Sequence, residues 1–284
     1  MQAESPVVCR LISLIFLLCG AFPCAAQPAV RTPLSPAQAQ ALVSRALANE
    51  LKSAQDASHP MRYVLDKTTP RLTTAKEIVE TKDGDVARLL SIGGQPLSAA
   101  DAQREQARLD ALLRDPRQQR HRKQNEDADA TRALNVLKSL PIAFLYHDAG
   151  PADEAGGIVE KFTFQPNPDF DPPDLETQAL TAMSGELWID RASERVTRLE
   201  GHLQHDVDFG WGILGRLSKG GWIVIEQADV GAGEWRTVRL EMAMSGRVVL
   251  KTRVFDTTEV ESQFAPVAGG MDYRKAIQML LAGP

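Results

Sequence analysis

An alternation of apolar and polar residues in the second half of the chain restricts its fold more than any other feature. In residues 195–209, most of the positions two apart, counted from Thr197, are apolar or small, and those between are polar or charged. Successive side chains on a strand point to opposite faces, so this run predicts a strand with one buried and one solvated face.

The same alternation recurs in residues 238–244 and 248–254, with a hairpin turn predicted between them at Ser245–Gly246. Together with the other short runs after Ile142, about seven or eight strands are expected in this half. That number predicts a strongly curved antiparallel sheet, or half-barrel.

The first half of the chain predicts helices and a few strands. Apolar residues recur at spacings of three and four between Ser35 and about Ala57, where Ser35, Pro36 and Gln38 form the start signal of an amphipathic helix. Three short strands are predicted at residues 61–67, 73–81 and 85–92, the last two joined by a turn that contains Asp83-Gly84.

Two further helices are predicted between the short strands and the second half. One begins at Ser98, and Asp115-Pro116 ends it and caps the next, which runs to about Leu140. The predicted fold class is therefore α+β: a strongly curved antiparallel sheet covered or wrapped by several helices. No linker is evident, so residues 27–284 are expected to form one domain with a helical insertion at about 98–140.

The first residues predict an export signal. The apolar run 11–22 follows Arg10 and precedes the small residues Ala25 and Ala26, as in a signal peptide cleaved after residue 26, with an uncleaved anchor as the alternative. All three cysteines would leave with the signal (Cys9, Cys19 and Cys24). The mature chain would then have no disulfide, thiolate metal site or cysteine nucleophile.

Charge and motifs exclude several function classes. A net charge of -5 gives no basic field for nucleic acid. His202 and His205 are three apart, so on a strand they point to opposite faces and cannot share a metal. The glycines of residues 210–215 match G-x-G-x-x-G, but a strand and not a helix is predicted after them, so a dinucleotide site is not expected. No catalytic residue, metal or cofactor is predicted.

Bulky apolar residues in a glycine-rich setting around residues 209–217 could cap the core or form the mouth of an apolar site. With the apolar faces of the neighbouring strands, they give the candidate ligand-binding residues: Leu203, Phe209, Trp211, Ile213, Leu214, Leu240, Met242 and Met244.

A charged stretch, residues 117–129, lies at the start of the second predicted helix of the insertion. It is interpreted either as a solvated helix face or as a partner contact. The candidate contact residues are Arg117, Arg120, Arg122 and Lys123.

The order of these elements, with Gly185-Glu-Leu-Trp188-Ile-Asp190 turning into Arg195-Val-Thr-Arg198-Leu-Glu-Gly201, resembles the LolA/LolB-like superfamily of bacterial outer-membrane lipoprotein carriers and related lipid-binding envelope proteins. The resemblance implies a half-barrel around helices, an apolar cavity and a periplasmic location in a Gram-negative bacterium. The family's lid-closing arginine cannot be placed on any one position.

Three functions follow as hypotheses. The first is an exported, non-catalytic protein that holds an acyl chain or other apolar ligand in the concave sheet, as a carrier of the cell envelope. The second is an envelope interaction or assembly protein that uses residues 117–129. The third is a hydrolase whose groups converge only in space.

Overall fold

The first helix, α1 (Pro36–Gln55), begins at the capping box that the sequence predicts. In the computed structural model, the Ser35 hydroxyl accepts from the Gln38 backbone N–H at 3.3 Å, and Gln38 Oε1 accepts from the Ser35 N–H at 2.9 Å. The structure describes residues 32–154, 157–209, 215–248 and 251–282. The signal predicted for residues 1–26 lies outside them.

The described residues form four more α-helices. They are α2 (Ala99–Arg114), α3 (Pro116–Ala143), α4 (Leu175–Gln178) and α5 (Tyr273–Ala282). The insertion is thus two helices joined at Asp115, as predicted, with α3 ending at Ala143 and not at about Leu140.

Thirteen strands complete the described fold. In the first half they are β1 (Met61–Thr68), β2 (Thr73–Val79), β3 (Val86–Ile92) and β4 (Gln95–Pro96). In the second half they are β5 (Phe144–Glu154), β6 (Gly157–Pro166), β7 (Met183–Asp190), β8 (Arg195–Leu203), β9 (Val207–Phe209), β10 (Gly215–Leu217), β11 (Trp222–Asp229), β12 (Trp235–Val248) and β13 (Lys251–Pro266).

All thirteen strands belong to one antiparallel sheet, in the order β4-β3-β2-β1-β13-β12-β11-β8-β7-β6-β5, with β10 paired to both β12 and β9. β1 pairs with β13, so the strands β1–β4 of the first half of the chain join those of the second half in one continuous sheet. The sheet does not close, because β4 and β5 remain at its edges. β-bulges interrupt several pairings and bend the strands. The predicted α+β class, an open, curved antiparallel sheet with helices, is confirmed.

Two hydrophobic cores hold helices against this sheet. The first lies under α1 and the C-terminal part of α3, against residues of β5 to β8 that include Phe162, Leu187 and Leu203. The second joins α2 and α5 to Val79 of β2 and Val86 of β3, which pair directly with each other.

Three local predictions were wrong. Ser245 and Gly246 lie inside β12 and not in a turn. The glycine is needed for close packing, because a Cβ on Gly246 would lie 2.6 Å from the carbonyl oxygen of Arg216 on the neighbouring strand β10. A bulge between β7 and β8 brings Val196, instead of Thr197, into the first core. The run 195–209 divides into β8 and β9, which contributes to nine strands after Ile142 where about seven or eight were expected.

Among the described residues, no helix is long and apolar enough to cross a membrane.

Candidate ligand-binding site

Helix α3 is held at its two ends and uncovered in its middle. Near its start, Gln119 Nε2 donates to the carbonyl oxygens of Asp83 and Gly84, both at 3.0 Å. Near its end, Val136, Leu137 and Leu140 pack against the first core. Residues 127–133 are all exposed. Seven consecutive exposed residues exceed one helical turn, so no side of α3 is packed here.

Below the helices, the centre of the sheet carries apolar side chains that are only half-buried. Ile225 of β11 pairs with both Leu199 of β8 and Leu240 of β12, and Ile223 pairs with Met242. Directly paired residues share a face, so these side chains form one surface, the central apolar face. Leu199 and Ile223 also pack against the first core, which places this surface on the side of the sheet that bears α1.

An apolar cavity of about 310 Å³ adjoins the central apolar face. It lies between α1, α3 and the strands β8, β11 and β12, within the usual size range of small-molecule sites. Its apolar wall consists of Leu47, Ala54, Leu137, Leu140, Val196, Leu199, Ile225 and Trp235.

One wall of the cavity is fixed by a largely buried ion pair. Arg195 donates from Nε and Nη2 to the two carboxylate oxygens of Glu50, at 2.8 and 2.9 Å. The Arg195 guanidinium also lies 5.6 Å from the centre of the Trp235 ring. These contacts orient Trp235, which lines the cavity beside the two charged residues.

A polar cavity of about 320 Å³ adjoins the apolar one, and Ser53, Arg195, Trp235 and Arg236 line both. Its other polar groups come from the end of α1 and the loops beside it: Asn49, Lys52, Asp56, His59, Ser193 and Glu234. The combined site therefore has an apolar end and a polar end.

Carboxyl groups gather beyond Arg236, near the β2–β3 turn. Burial, reinforced by Glu126 and Glu80, raises the pKa of Asp85 to about 7. Burial and the neighbouring Glu259 raise the pKa of Glu261 to about 7 as well. Glu80, Asp85 and Arg236 line a third cavity of about 400 Å³.

A larger cavity, of about 660 Å³, is lined by Trp235 and otherwise mostly by polar and charged groups, among them Asp190, Arg198, Glu226 and Asp229. Such a lining suits an apolar ligand less well than the wall of the 310 Å³ cavity does.

The described part of the chain places five of the eight predicted ligand-binding residues, in two settings. Leu240 and Met242 lie on the central apolar face, half-buried. Leu203 is 2% exposed in the first core, and Phe209 and Met244 pack against that core. Trp211, Ile213 and Leu214 lie outside the described residues.

The sequence analysis missed the cavity residues that lie on the helices and at the start of strand β12. Leu47 and Leu137 belong to apolar helix faces, whose pattern indicates only packing. Trp235 and Arg195 stand at strand ends, where alternation gives no signal about a site.

The predicted partner contacts are divided between solvent and the chain itself. Arg117 and Arg120 are exposed. Arg122 Nη2 donates to the Asp85 carbonyl oxygen at 3.1 Å, and Lys123 Nζ bonds Asp127 at 2.8 Å. Within the described ranges, no group of three His, Cys, Asp or Glu residues could hold a metal ion.

The fold and this site define a class of protein: an open antiparallel sheet with an amphipathic pocket beneath its helices. No family model and no curated protein matches the sequence. Solved structures are similar in fold. An outer membrane lipoprotein-sorting protein domain from Vibrio parahaemolyticus is 10% identical, with a TM-score of 0.31 over 84% of this chain and 99% of that one.

A LolA superfamily protein from Nitrosomonas europaea has a TM-score of 0.31 and 10% identity over 84% of this chain and 96% of that one. A DUF1329 family protein from Desulfovibrio piger has a TM-score of 0.30 and 10% identity over 80% and 92%. At these identities and TM-scores the three structures carry no argument about this chain, so its function has to be inferred from its own residues.

Proposed function

We propose that this protein is a non-catalytic binding protein that holds the acyl chain of a lipid-like ligand between the sheet and its helices. The observation that carries the proposal is the 310 Å³ apolar cavity, which continues onto a half-buried apolar face. Burial of an acyl chain in such a place contributes about 0.8 kcal/mol per methylene, which gives useful affinity without a polar motif.

The arrangement of α3 supports the same function. Because residues 127–133 are exposed on every side of the helix, this part of α3 does not fill the space above the sheet. Only the end of α3, at Leu137 and Leu140, lines the apolar cavity.

The proposal also places the protein outside the cytoplasm. The signal predicted for residues 1–26 would direct it to the periplasm, where an envelope lipid carrier would work. Cell fractionation with N-terminal sequencing tests this part: mature protein that begins at Gln27 in the periplasmic fraction is expected, and a full-length cytoplasmic protein would contradict it.

The binding test uses a fluorescent fatty-acid probe and two matched variants. Ile225→Glu puts a carboxylate into the cavity wall, and we expect probe affinity to fall at least about tenfold. Ile158→Glu makes the same change on β6 at a side chain that is 70% exposed, and its affinity should equal that of the wild type.

Native mass spectrometry with lipid extraction complements this test and can identify what the purified protein carries. A wild-type protein without any bound lipid, together with no probe binding, would contradict the proposal. Equal probe binding by both variants would place the ligand elsewhere.

The alternative of an envelope interaction protein acting through residues 117–129 has less support. Two of its four candidate residues, Arg122 and Lys123, already bond groups within the chain.

A further inference from the structure

The polar end of the combined site contains two arginines in very different states. Arg195 is neutralised, because both of its bonds to Glu50 are 2.9 Å or shorter. Arg236 is not neutralised in this way. Its Nη2 donates to the backbone carbonyl oxygen of His59 at 2.7 Å, and its Nη1 lies 3.6 Å from Glu234 Oε2, too far for a hydrogen bond.

The Nε–H of Arg236 is a buried donor that has no hydrogen-bond partner in the described part of the chain. An unpaired buried donor on a charged group is costly, so such groups commonly meet an acceptor from water, an ion or a ligand. Arg236 lines the apolar cavity and the polar cavity at once, so an acceptor that reaches it could belong to a molecule that occupies both.

We propose that the ligand is an amphiphile with an anionic head, a carboxylate or a phosphate, whose oxygen accepts from Arg236 Nε while its chain fills the apolar cavity. The inference rests on the proposed function, because it assigns the head group of the same ligand. Lys52, which lines the polar cavity, adds a second positive charge near the head.

The acids nearby restrict where the head can lie. Asp56 and Glu234 also line the polar cavity, but the Asp56 carboxylate already accepts from the Ser58 N–H at 2.8 Å and from its hydroxyl at 2.5 Å. Glu234 lies 3.1 Å from His59 Nδ1. The head is therefore expected to contact Arg236 and Lys52, the cations of the polar cavity, and not its acids.

Glu80 and Asp85 line the third cavity, which shares Ser53, Asp56, His59 and Arg236 with the polar cavity. A negative head group would be repelled from there. This separates the anionic proposal from its opposite, an amine head bound by the acids.

The experiment compares ligands that share a chain and differ only in the head: dodecanoate, dodecyl phosphate, dodecanol and dodecylamine, each used below its micelle concentration to displace a fluorescent acyl probe from the full mature protein. At least one of the two anions should bind about tenfold or more tightly than the alcohol. Their order tells a carboxylate head from a phosphate head.

Three variants locate the effect. Arg236→Gln should remove most of the preference for the anion, because the affinity for the anion should fall by far more than the affinity for dodecanol. Arg236→Lys keeps the charge but lacks Nε, so it should recover only part of the preference. Arg216→Gln removes an exposed arginine that bonds Asp208, remote from the cavity, and should behave as the wild type.

Each outcome decides between the two proposals. If none of the four ligands binds, the proposed function fails. If dodecanol or dodecylamine binds as tightly as the anions, or if Arg236→Gln keeps the preference, the anionic head is overturned while acyl binding stands. Melting temperatures show whether each variant is folded, and Lys52→Gln, at an exposed position, tests the same preference if Arg236→Gln unfolds.

Discussion

Glu50 and Arg195, 145 residues apart in the chain, form a two-armed ion pair that ties α1 to the start of β8. Their side chains are only 7% and 12% exposed. Glu50 Oε1 also accepts from the Val196 N–H at 2.9 Å, so one carboxylate fixes both the arginine and the backbone beside the β-bulge.

Removal of one partner of this pair should be strongly destabilising. In Glu50→Ala, Arg195 keeps a charge that is mostly shielded from water, and the Val196 N–H loses its acceptor. We expect a loss of about 3 kcal/mol in the free energy of unfolding, measured by urea denaturation. Glu50→Met combined with Arg195→Met should recover much of this loss, because no unpaired charge remains. A Glu50→Ala protein as stable as the wild type would show that the pair contributes little.

The stabilisation that Asp85 and Glu261 contribute should fall as the pH rises from about 4 to about 7. The pKa of Asp85 and of Glu261 is raised to about 7 in the folded protein. A raised folded pKa means that the folded state holds these protons more tightly than the unfolded chain, so this stabilisation is complete at low pH and is lost as the pH approaches 7. The expected loss is on the order of 3 kcal/mol for each of the two groups.

Asp85→Asn and Glu261→Gln are the variants that test this pH dependence. Each removes one titrating group, so urea denaturation at a series of pH values should show a smaller slope between pH 5 and 7 for either variant. Slopes equal to that of the wild type would mean that neither carboxyl group titrates in this range.

The elements that the sequence predicts well are those determined by neighbouring residues. The capping box at Ser35 places α1 correctly, and the glycine after Asp83 adopts a positive φ of 92°, in the turn predicted between β2 and β3. The alternation likewise identifies Leu240 and Met242 as members of an apolar face.

The missed features depend on residues distant in sequence. Gly246 resembles a turn residue in the sequence, but the close approach of Arg216 on the neighbouring strand β10 is what requires a glycine at this position. The cavity wall combines Leu47, Leu137 and Trp235 from three separate elements, and neither spacing nor composition brings them together. The unpaired Nε–H of Arg236 is visible only when every possible partner has been located.

Gly185, in the segment that carries the family resemblance, should not tolerate a side chain. It pairs directly with Gly201 of β8, and a Cβ on Gly185 would lie 1.8 Å from the Glu200 carbonyl oxygen. Gly185→Ala must therefore move a backbone in the first core, and we expect a loss of about 3 kcal/mol or more, or insoluble protein. Gly269→Ala is the matched control, because a Cβ there would lie 4.0 Å from the Ser58 carbonyl oxygen, an ordinary contact distance. Equal melting temperatures for the two variants would contradict this prediction.

The start of α3 should be held less firmly against the β2–β3 turn when Gln119 is shortened. Gln119 is 1% exposed, and its Nε2 bonds the carbonyl oxygens of Asp83 and Gly84. Gln119→Ala leaves both acceptors without this donor, which should cost about 1–3 kcal/mol. Because the middle of α3 has no packing of its own, the cost should appear as local opening and not as global unfolding.

Hydrogen exchange should therefore be faster in residues 117–126 of the variant and unchanged in α1. The control is Gln118→Ala, one residue earlier at an exposed position, which should exchange as the wild type does. Unchanged exchange in Gln119→Ala would mean that other contacts hold this end of the helix.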